Sequence, residues 1–566
     1  MCNKITTTAA SIAAAAVLFA LTGCNKSNDT PAPQEQSSTA QSDTAVAAAS
    51  GKETQPPAGG AQGAAPKTQS GMLAPVPAAN GKPGDWTMWC QNPQRIVVVP
   101  DGKTPPMQWD VEAKENLLWD GQLGSQSYGS PVIAGGLVFI GTNNEAKRDP
   151  QHTADGGVLM IFRESDGKFL WQRYWPKLQA GRVNDWPFQG ICSTVLAEGD
   201  HIWLATSRCE VVCMDVSPLR NGTGEPKEVW NVDMMAKLNV FPHNMTSCSI
   251  ASYGDLIYVI TGNGVDDTHI NIPAPRAPSI VCFNKKTGDV VWTDNTPGEN
   301  ILHGQWSSPA IAEVNGRGLV IAPLGDGWIY AFDAKTGKKV WWFDSNDKHT
   351  VYPTTRNELI ATPVVVNNKL YIANGQDPEH GEGPGHLWCI DITKEGDVSK
   401  EIAADDAPKP KPGEELVADP AQIRRRGKPN PNSAVVWDFQ TFDANKDGKI
   451  SAPVERMNRS ISTVAVANGL CFAPDFSGMF HCLDANTGQH LWTHDMLSAM
   501  WGSPLVIGDK VYISDEEGDV SIFDLAKEKK HHGDYNLGSA SYCSPVYANG
   551  ILYLMNRERV FAVGEK

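Results

Sequence analysis

The chain of 566 residues carries 64 Asp and Glu against 48 Lys and Arg, a net charge of −16. Such a surface repels phosphate backbones and anionic headgroups, which argues against nucleic acid or a lipid face as partner. The length exceeds the needs of one small core and leaves a repeat architecture or several domains open.

Lys4 is followed by an Ala-rich apolar run from Ile12 to Leu21, and then by Leu21-Thr22-Gly23-Cys24. The run is too short to span a bilayer and reads as the core of a secretory signal. The four residues match a bacterial lipoprotein box, so residues 1–23 are expected to be a signal peptide and Cys24 to carry lipid. Residues 24–84 are rich in Ala, Gln, Ser, Thr, Pro and Gly. They cannot bury enough apolar surface to offset their ordering entropy and read as a flexible lipid-anchored linker. No later run reaches the roughly 18 consecutive apolar residues of a membrane helix, so the lipid is the expected membrane attachment. Asn25 after the cysteine, where Asp favours the inner membrane, points to the outer membrane, facing periplasm or surface.

From residue 85 to 566 one phrase keeps returning. "AFDAKTGKKVW" ends at Trp341, "CFNKKTGDVVW" at Trp292, "CLDANTGQHLW" at Trp492 and the decayed "IFRESDGKFLW" at Trp171. Asp and Thr-Gly make a turn in which Gly supplies the positive φ, and the Trp lies on the strand that follows. A second phrase, "SPVIAGGLVFIG" from Ser130, returns as "TPVVVNNKLYIAN", "STVAVANGLCFAP", "SPLVIGDKVYISD" and "SPVYANGILYLMN". Each holds two β-branched runs around a Gly/Asn/Asp turn, a hairpin. Two hairpins give a four-stranded antiparallel sheet per repeat.

Trp119, Trp171, Trp230, Trp292, Trp341, Trp437 and Trp492 count the units. The last copy stops before its fourth strand, and "ENLLW" ending at Trp119 is a fourth strand without the first three. Joining them predicts an all-β, eight-bladed β-propeller closed by an N-terminal strand, interrupted by insertions at about 396–432 and 440–458. "KEKKHHGD" (Lys527–Asp534) reads as an exposed turn. Ten cysteines follow Cys24. Seven (Cys192, Cys213, Cys248, Cys282, Cys389, Cys482 and Cys543) occupy equivalent repeat positions a blade or more apart and read as small buried residues. A bond among Cys90, Cys209 and Cys471 stays open.

Residues just before each innermost strand should ring the channel mouth. These are Tyr128, Gln189, His243, Asn244, His303, Gln305, Trp306, Asn357, Glu358, Asn458, Arg459, Trp501 and Tyr542, with Arg182, Asp185 and Trp186 from "RVNDWPFQG". The set is polar and aromatic, suited to a flat anionic ligand held by stacking and charge-assisted hydrogen bonds, or to a water-filled plug. "DANKDGKIS" sets Asp443, Asn445 and Asp447 at positions 1, 3 and 5 of an EF-hand-like loop, with the Lys449 carbonyl at 7. Glu455 comes one residue late for position 12, and the loop is expected to hold a structural Ca²⁺. "QDPEHGEGPGHLWC" gathers Asp377, Glu379, His380, Glu382 and His386 at a spacing that matches no metal rule.

The Ala-x-Asp-x-x-Thr-Gly-x-x-x-Trp phrase resembles the tryptophan-docking motif of pyrroloquinoline quinone (PQQ) repeat propellers. It is complete at Ala331, Asp333, Thr336, Gly337 and Trp341, with Cys482 replacing Ala in the copy ending at Trp492. The resemblance implies that each Trp packs between neighbouring blades. Quinoprotein dehydrogenases of this fold place PQQ at the channel mouth and hold Ca²⁺ with Glu, Asn and often Asp. They cover the quinone with a disulfide between adjacent cysteines, a pair this chain lacks. Asn244 with Glu358 or Asp185 would take the metal roles. With its lipobox the chain also resembles the lipoprotein propeller of the outer-membrane β-barrel assembly machinery. The expected function is therefore a monomeric, non-catalytic binding or scaffold module, engaging an envelope protein or a small ligand at the mouth. The alternative is a PQQ- and Ca²⁺-dependent oxidoreductase acting on an alcohol or sugar.

Overall fold

The computed structural model describes residues 82–178, 186–404 and 427–565. Cys24, the linker up to residue 81, Arg182 and Asp185 lie outside them. Eight antiparallel sheets form the blades of a propeller, numbered 1–8 in chain order with inner strands at Val132–Ala134, Leu196–Glu198, Ala251–Tyr253, Ala310–Val314, Val364–Val366, Ala465–Ala467, Leu505–Ile507 and Val546–Ala548. Blade 1 consists of Val132–Ala134, Leu137–Asn143, Gly156–Arg163 and Phe169–Pro176. The last sheet holds Val546–Ala548, Ile551–Met555 and Arg559–Val563, with Leu117–Gln122 as its outer strand and Trp119 opposite Ala562. In blade 7 the outer strand is His531–Asn536, so the second half of the expected exposed turn at Lys527–Asp534 is strand. It carries no Trp, which hid it from the repeat count. The first insertion adds an edge: Gly396–Asp397 pairs in parallel with Trp341 and Trp342 of blade 4. All ten described cysteines are free, and all but Cys192 are buried.

The Ser-Pro phrase recurs for a hydrogen-bonding reason. A Ser or Thr stands two residues before every inner strand. Its backbone N–H donates to the equivalent hydroxyl of the next blade, from Ser130 to Thr194, Thr194 to Ser249 and Ser249 to Ser308. The chain of bonds resumes from Thr463 to Ser503, Ser503 to Ser544 and Ser544 to Ser130, joining the last blade to the first. A buried N–H stripped of its acceptor costs about 1–3 kcal/mol, so the hydroxyl is held at this place in each blade.

The Trp phrase works at the outer rim. The Trp292 indole N–H donates to the Ala334 carbonyl at 3.0 Å, and a Cβ on Gly337 would collide with its ring at 2.6 Å. Trp119 is seated likewise on Glu164 and Gly167, Trp230 on Lys285 and Gly288, and Trp437 on Ala485 and Gly488. Trp492 keeps only the bond, to Ala526. The turn glycine therefore does two things: it takes positive φ and lets the previous blade's indole lie flat on the backbone. Trp341 and Trp171 depart from the expectation. Trp341 is fully buried, but its indole N–H has no acceptor, and the turn after Asp391 that it meets lacks the Thr-Gly pair. Trp171 is only half-buried, since the short helix Ser217–Arg220 replaces the turn it would meet.

One feature had no repeat signal. Residues 85–99 cross the ring like a spoke. Trp86 exchanges two backbone bonds with Ile133, and the carbonyls of Thr87, Pro93, Gln94 and Val97 accept from inner strands of blades 2, 4, 5 and 7. Val98–Val99 then lie parallel to Val506 and Ile507. Arg95, wholly buried, donates to the carbonyls of Pro309, Trp89 and Ser249, each at 2.9 Å.

Candidate functional site

Above the spoke lies a cavity of about 220 Å³. Of the expected mouth residues, Tyr128, Gln189, Asn244, Trp306, Trp501 and Tyr542 line it. Tyr128 stacks on Tyr542 at 5.1 Å, and Trp501 meets Tyr542 edge-on at 5.0 Å. Trp186 is at the surface, 40% exposed, its carbonyl accepting from Lys177. Sequence reasoning missed Trp89, which belongs to the spoke, and Asp377, whose carboxyl burial pushes up to about 6. No periodicity could have placed Trp89 here. Asp377 stood in a loop with an unrecognised spacing.

The remaining mouth residues brace the protein itself. Arg459 donates to Asn357 Oδ1 and to the carbonyls of Pro353, Thr354, His380, Gly381 and Glu382. Gln305 donates to the Asn263 carbonyl and Ser279 Oγ and accepts from Gly325. Asn357 holds Asn374 and the Pro384 carbonyl, and Asn458 holds Asp475. Their polar atoms are turned into loops and not toward a ligand.

His243 and His303 meet at one side of the mouth, both buried. The structure brings to them His269, from the loop between Leu256–Ile260 and Ile280–Asn284, and the turn Pro378–His380 of blade 5. His303 Nε2 lies 3.2 Å from His269 Nδ1 and 3.3 Å from Glu379 Oε1, and those two atoms are 3.2 Å apart. His243 donates through Nδ1 to the Val265 carbonyl at 2.9 Å. Candidate ligand atoms of His243, His269 and His303 lie within 4.8 Å of one another, as do those of His303, Glu379 and His380. His380 Nε2 also bonds the Tyr352 hydroxyl at 2.9 Å. His386 goes elsewhere, to Asp438 at 3.1 Å. Burial opposes charge on His303, but Glu358 and Glu379 outweigh it and push the imidazole up to about 10. Burial, with the His303 charge, takes His243 down to about 3. The His303 hydrogen bond holds Glu379 down near 2.

The 443–455 loop folds around its acids. Asp443 accepts from Asp447 and Gly448, and Asn445 Oδ1 accepts from Asp447. Glu455, late by one residue, accepts from Ala444 and Asn445 through one oxygen and from Ser451 through the other. The Ser451 N–H, first among these, holds its carboxyl low. All four side chains named for Ca²⁺ thus belong to one compact loop.

Blades, rim tryptophans and a central mouth define a propeller of PQQ-type repeats. The model of the family described as outer membrane protein assembly factor BamB matches residues 185–422 and 431–563, and the chain belongs to that family. The chain is 26% identical over 423 residues to lupanine 17-hydroxylase [cytochrome c] of a Pseudomonas species, covering 68% of this chain and 52% of that protein. It is 23% identical over 328 residues to tetrathionate hydrolase of Acidithiobacillus ferrooxidans, covering 50% of this chain and 59% of that one. The chain thus spans little more than half the length of these relatives. A solved europium-containing methanol dehydrogenase shares the fold with a TM-score of 0.53 at 12% identity, over 84% of this chain and 89% of its own.

The quinone expected under the alternative reading fits the described residues poorly. A tricarboxylate needs cations turned toward the cavity, and the guanidinium of Arg459 is directed at six acceptors of its own chain. Glu358, named as a Ca²⁺ ligand, accepts from the Asp377 N–H and faces His303.

Proposed function

We propose that this chain is a non-catalytic binding propeller of the cell envelope, anchored by lipid on Cys24 and presenting its channel mouth to an envelope protein or a small ligand. The inward commitment of Arg459 carries the reading. The side chains that would clamp an anionic cofactor hold mouth loops instead, which makes the mouth a preorganised surface. Membership of the assembly-factor family supports it. The test uses the full chain with Cys24→Ser, expected in the soluble fraction where the wild type sediments with membranes. Incubated with PQQ and Ca²⁺ and desalted, it should retain no quinone and reduce no artificial acceptor with alcohols or sugars. Stoichiometric quinone with substrate-dependent turnover would overturn the binding reading, and a variant that still sediments at high salt would overturn the anchor.

We further propose that the 443–455 loop takes a structural Ca²⁺. A ligand bound only by the folded state stabilises it by mass action. Chelator should therefore lower the melting temperature of the wild type and leave Asp443→Ala/Asp447→Ala unchanged. A wild type indifferent to chelator and to added Ca²⁺ would reduce the loop to a turn.

A further inference from the structure

We propose that His243, His269, His303 and Glu379 bind one divalent transition metal of the Zn²⁺ class, clasping blades 3, 4 and 5 at the channel mouth. The inference stands apart from the binding reading above and from the oxygen loop. Its basis is a triangle. His303 Nε2, His269 Nδ1 and Glu379 Oε1 are mutually 3.2–3.3 Å apart. With metal–ligand bonds of about 2.0 Å, the corners of a tetrahedron lie about 3.3 Å from one another.

Protons alone satisfy at most two edges of that triangle. If His269 Nδ1 is bare, its contact with the Glu379 carboxylate sets lone pair against lone pair. If it carries a proton, its contact with the His303 N–H sets donor against donor. A cation at the centre satisfies all three edges.

The tautomers agree with this. His243 donates through Nδ1 to the Val265 carbonyl, which leaves Nε2 to close in as the fourth corner; a ligand atom of His243 lies within 4.8 Å of those of His269 and His303. His303 turns Nδ1 toward Glu358 Oε1 at 3.7 Å. A carboxylate behind a ligating imidazole is the usual outer-shell support of such sites. Both groups are 1% exposed, and neither His303 Nδ1 nor Glu358 Oε2 has a hydrogen-bond partner. Drawing the imidazole and carboxylate together on metal binding would satisfy the pair. His269, at φ 59°, holds a left-handed backbone that a non-glycine residue adopts at a cost, as residues at binding sites often do. The side chains of His269 and Glu379 are 37% and 35% exposed, so an ion reaches the site from solvent. Three nitrogens and one carboxylate oxygen favour a borderline cation over Ca²⁺ or Mg²⁺. Four protein ligands leave no open position, the pattern of a structural site.

The probe is Co²⁺, whose visible bands are intense in a tetrahedral site and weak in an octahedral one. The full chain in detergent, with Asp443→Ala/Asp447→Ala to remove the oxygen loop, should bind one equivalent with tetrahedral bands that Zn²⁺ displaces. His269→Ala/Glu379→Gln changes only half-exposed side chains and should keep the apo melting transition. Its affinity for Co²⁺ should fall at least 100-fold. Glu358→Gln, a positioning change, should weaken binding about 10–100-fold while keeping the bands tetrahedral. Folded protein that retains neither ion after desalting would overturn the site. So would octahedral-type bands, or tetrahedral bands that survive the His269/Glu379 double change.

Discussion

Trp292→Phe should lower the stability of the full chain by about 1 kcal/mol more than Trp341→Phe does. Trp292→Ala should cost about 3–5 kcal/mol, the range for deleting a large buried aromatic. The two tryptophans occupy the same place in the repeat, and sequence alone ranks Trp341 as the better match. The structure reverses the ranking. Trp292 donates to Ala334 at 3.0 Å and lies on Gly337, so phenylalanine loses the bond in addition to the packing of the second ring, a loss both positions share. Trp341 buries an indole N–H with no acceptor, so phenylalanine removes a liability. Urea midpoints at constant m-value would separate the pair. Equal Phe costs at the two positions would show that the hydrogen bond is not what seats the indole.

What was legible in the sequence is what repeats. The two phrases gave the blade count because each blade must solve the same problem at its rim and at its inner edge. The Ser of "SP" and the Gly of "TG" recur for reasons the structure supplies: a hydroxyl accepting from the neighbouring blade, and a bare Cα under an indole. Blade 7 ends on His531–Asn536 without a Trp, so the repeat phrase leaves its edge unmarked. The site was legible in part, since the register of the inner strands named Tyr128, Asn244, Trp306, Trp501 and Tyr542 as cavity walls. It could not show which way a polar side chain turns. Asn458 occupies the same register as Asn244, five residues before the inner-edge hydroxyl, yet Asn244 lines the cavity while Asn458 points into a loop. Nor could it join His269 to Glu379, separated by more than 100 residues and carried on loops of unrelated length. Such juxtapositions belong to the ring's geometry, and no local spacing encodes them.

The spoke shows the same limit, and it carries the other large effect. Arg95→Met should destabilise the full chain by about 3 kcal/mol or more and make residues 85–99 accessible to protease. Arg95 is 0% exposed and fans three donors onto three segments: Trp89 of its own spoke, Ser249 before the blade 3 inner strand and Pro309 before that of blade 4. Methionine fills much of the stem's volume but leaves three buried carbonyls without a donor, each worth about 1–3 kcal/mol. Relief from burying the guanidinium offsets part of that loss, which is why the net falls below the sum. Arg95→Lys keeps the charge, but a compact ammonium cannot match the planar fork across three directions, so it should recover only part of the stability. Because Trp89 lines the cavity and its carbonyl is one of the three acceptors, loosening Arg95 should also loosen the cavity floor. Wild-type midpoints and protease resistance in Arg95→Met would mean that the backbone bonds of Trp86, Thr87, Pro93, Gln94 and Val97 hold the spoke unaided, and that the buried cation is a tolerated passenger.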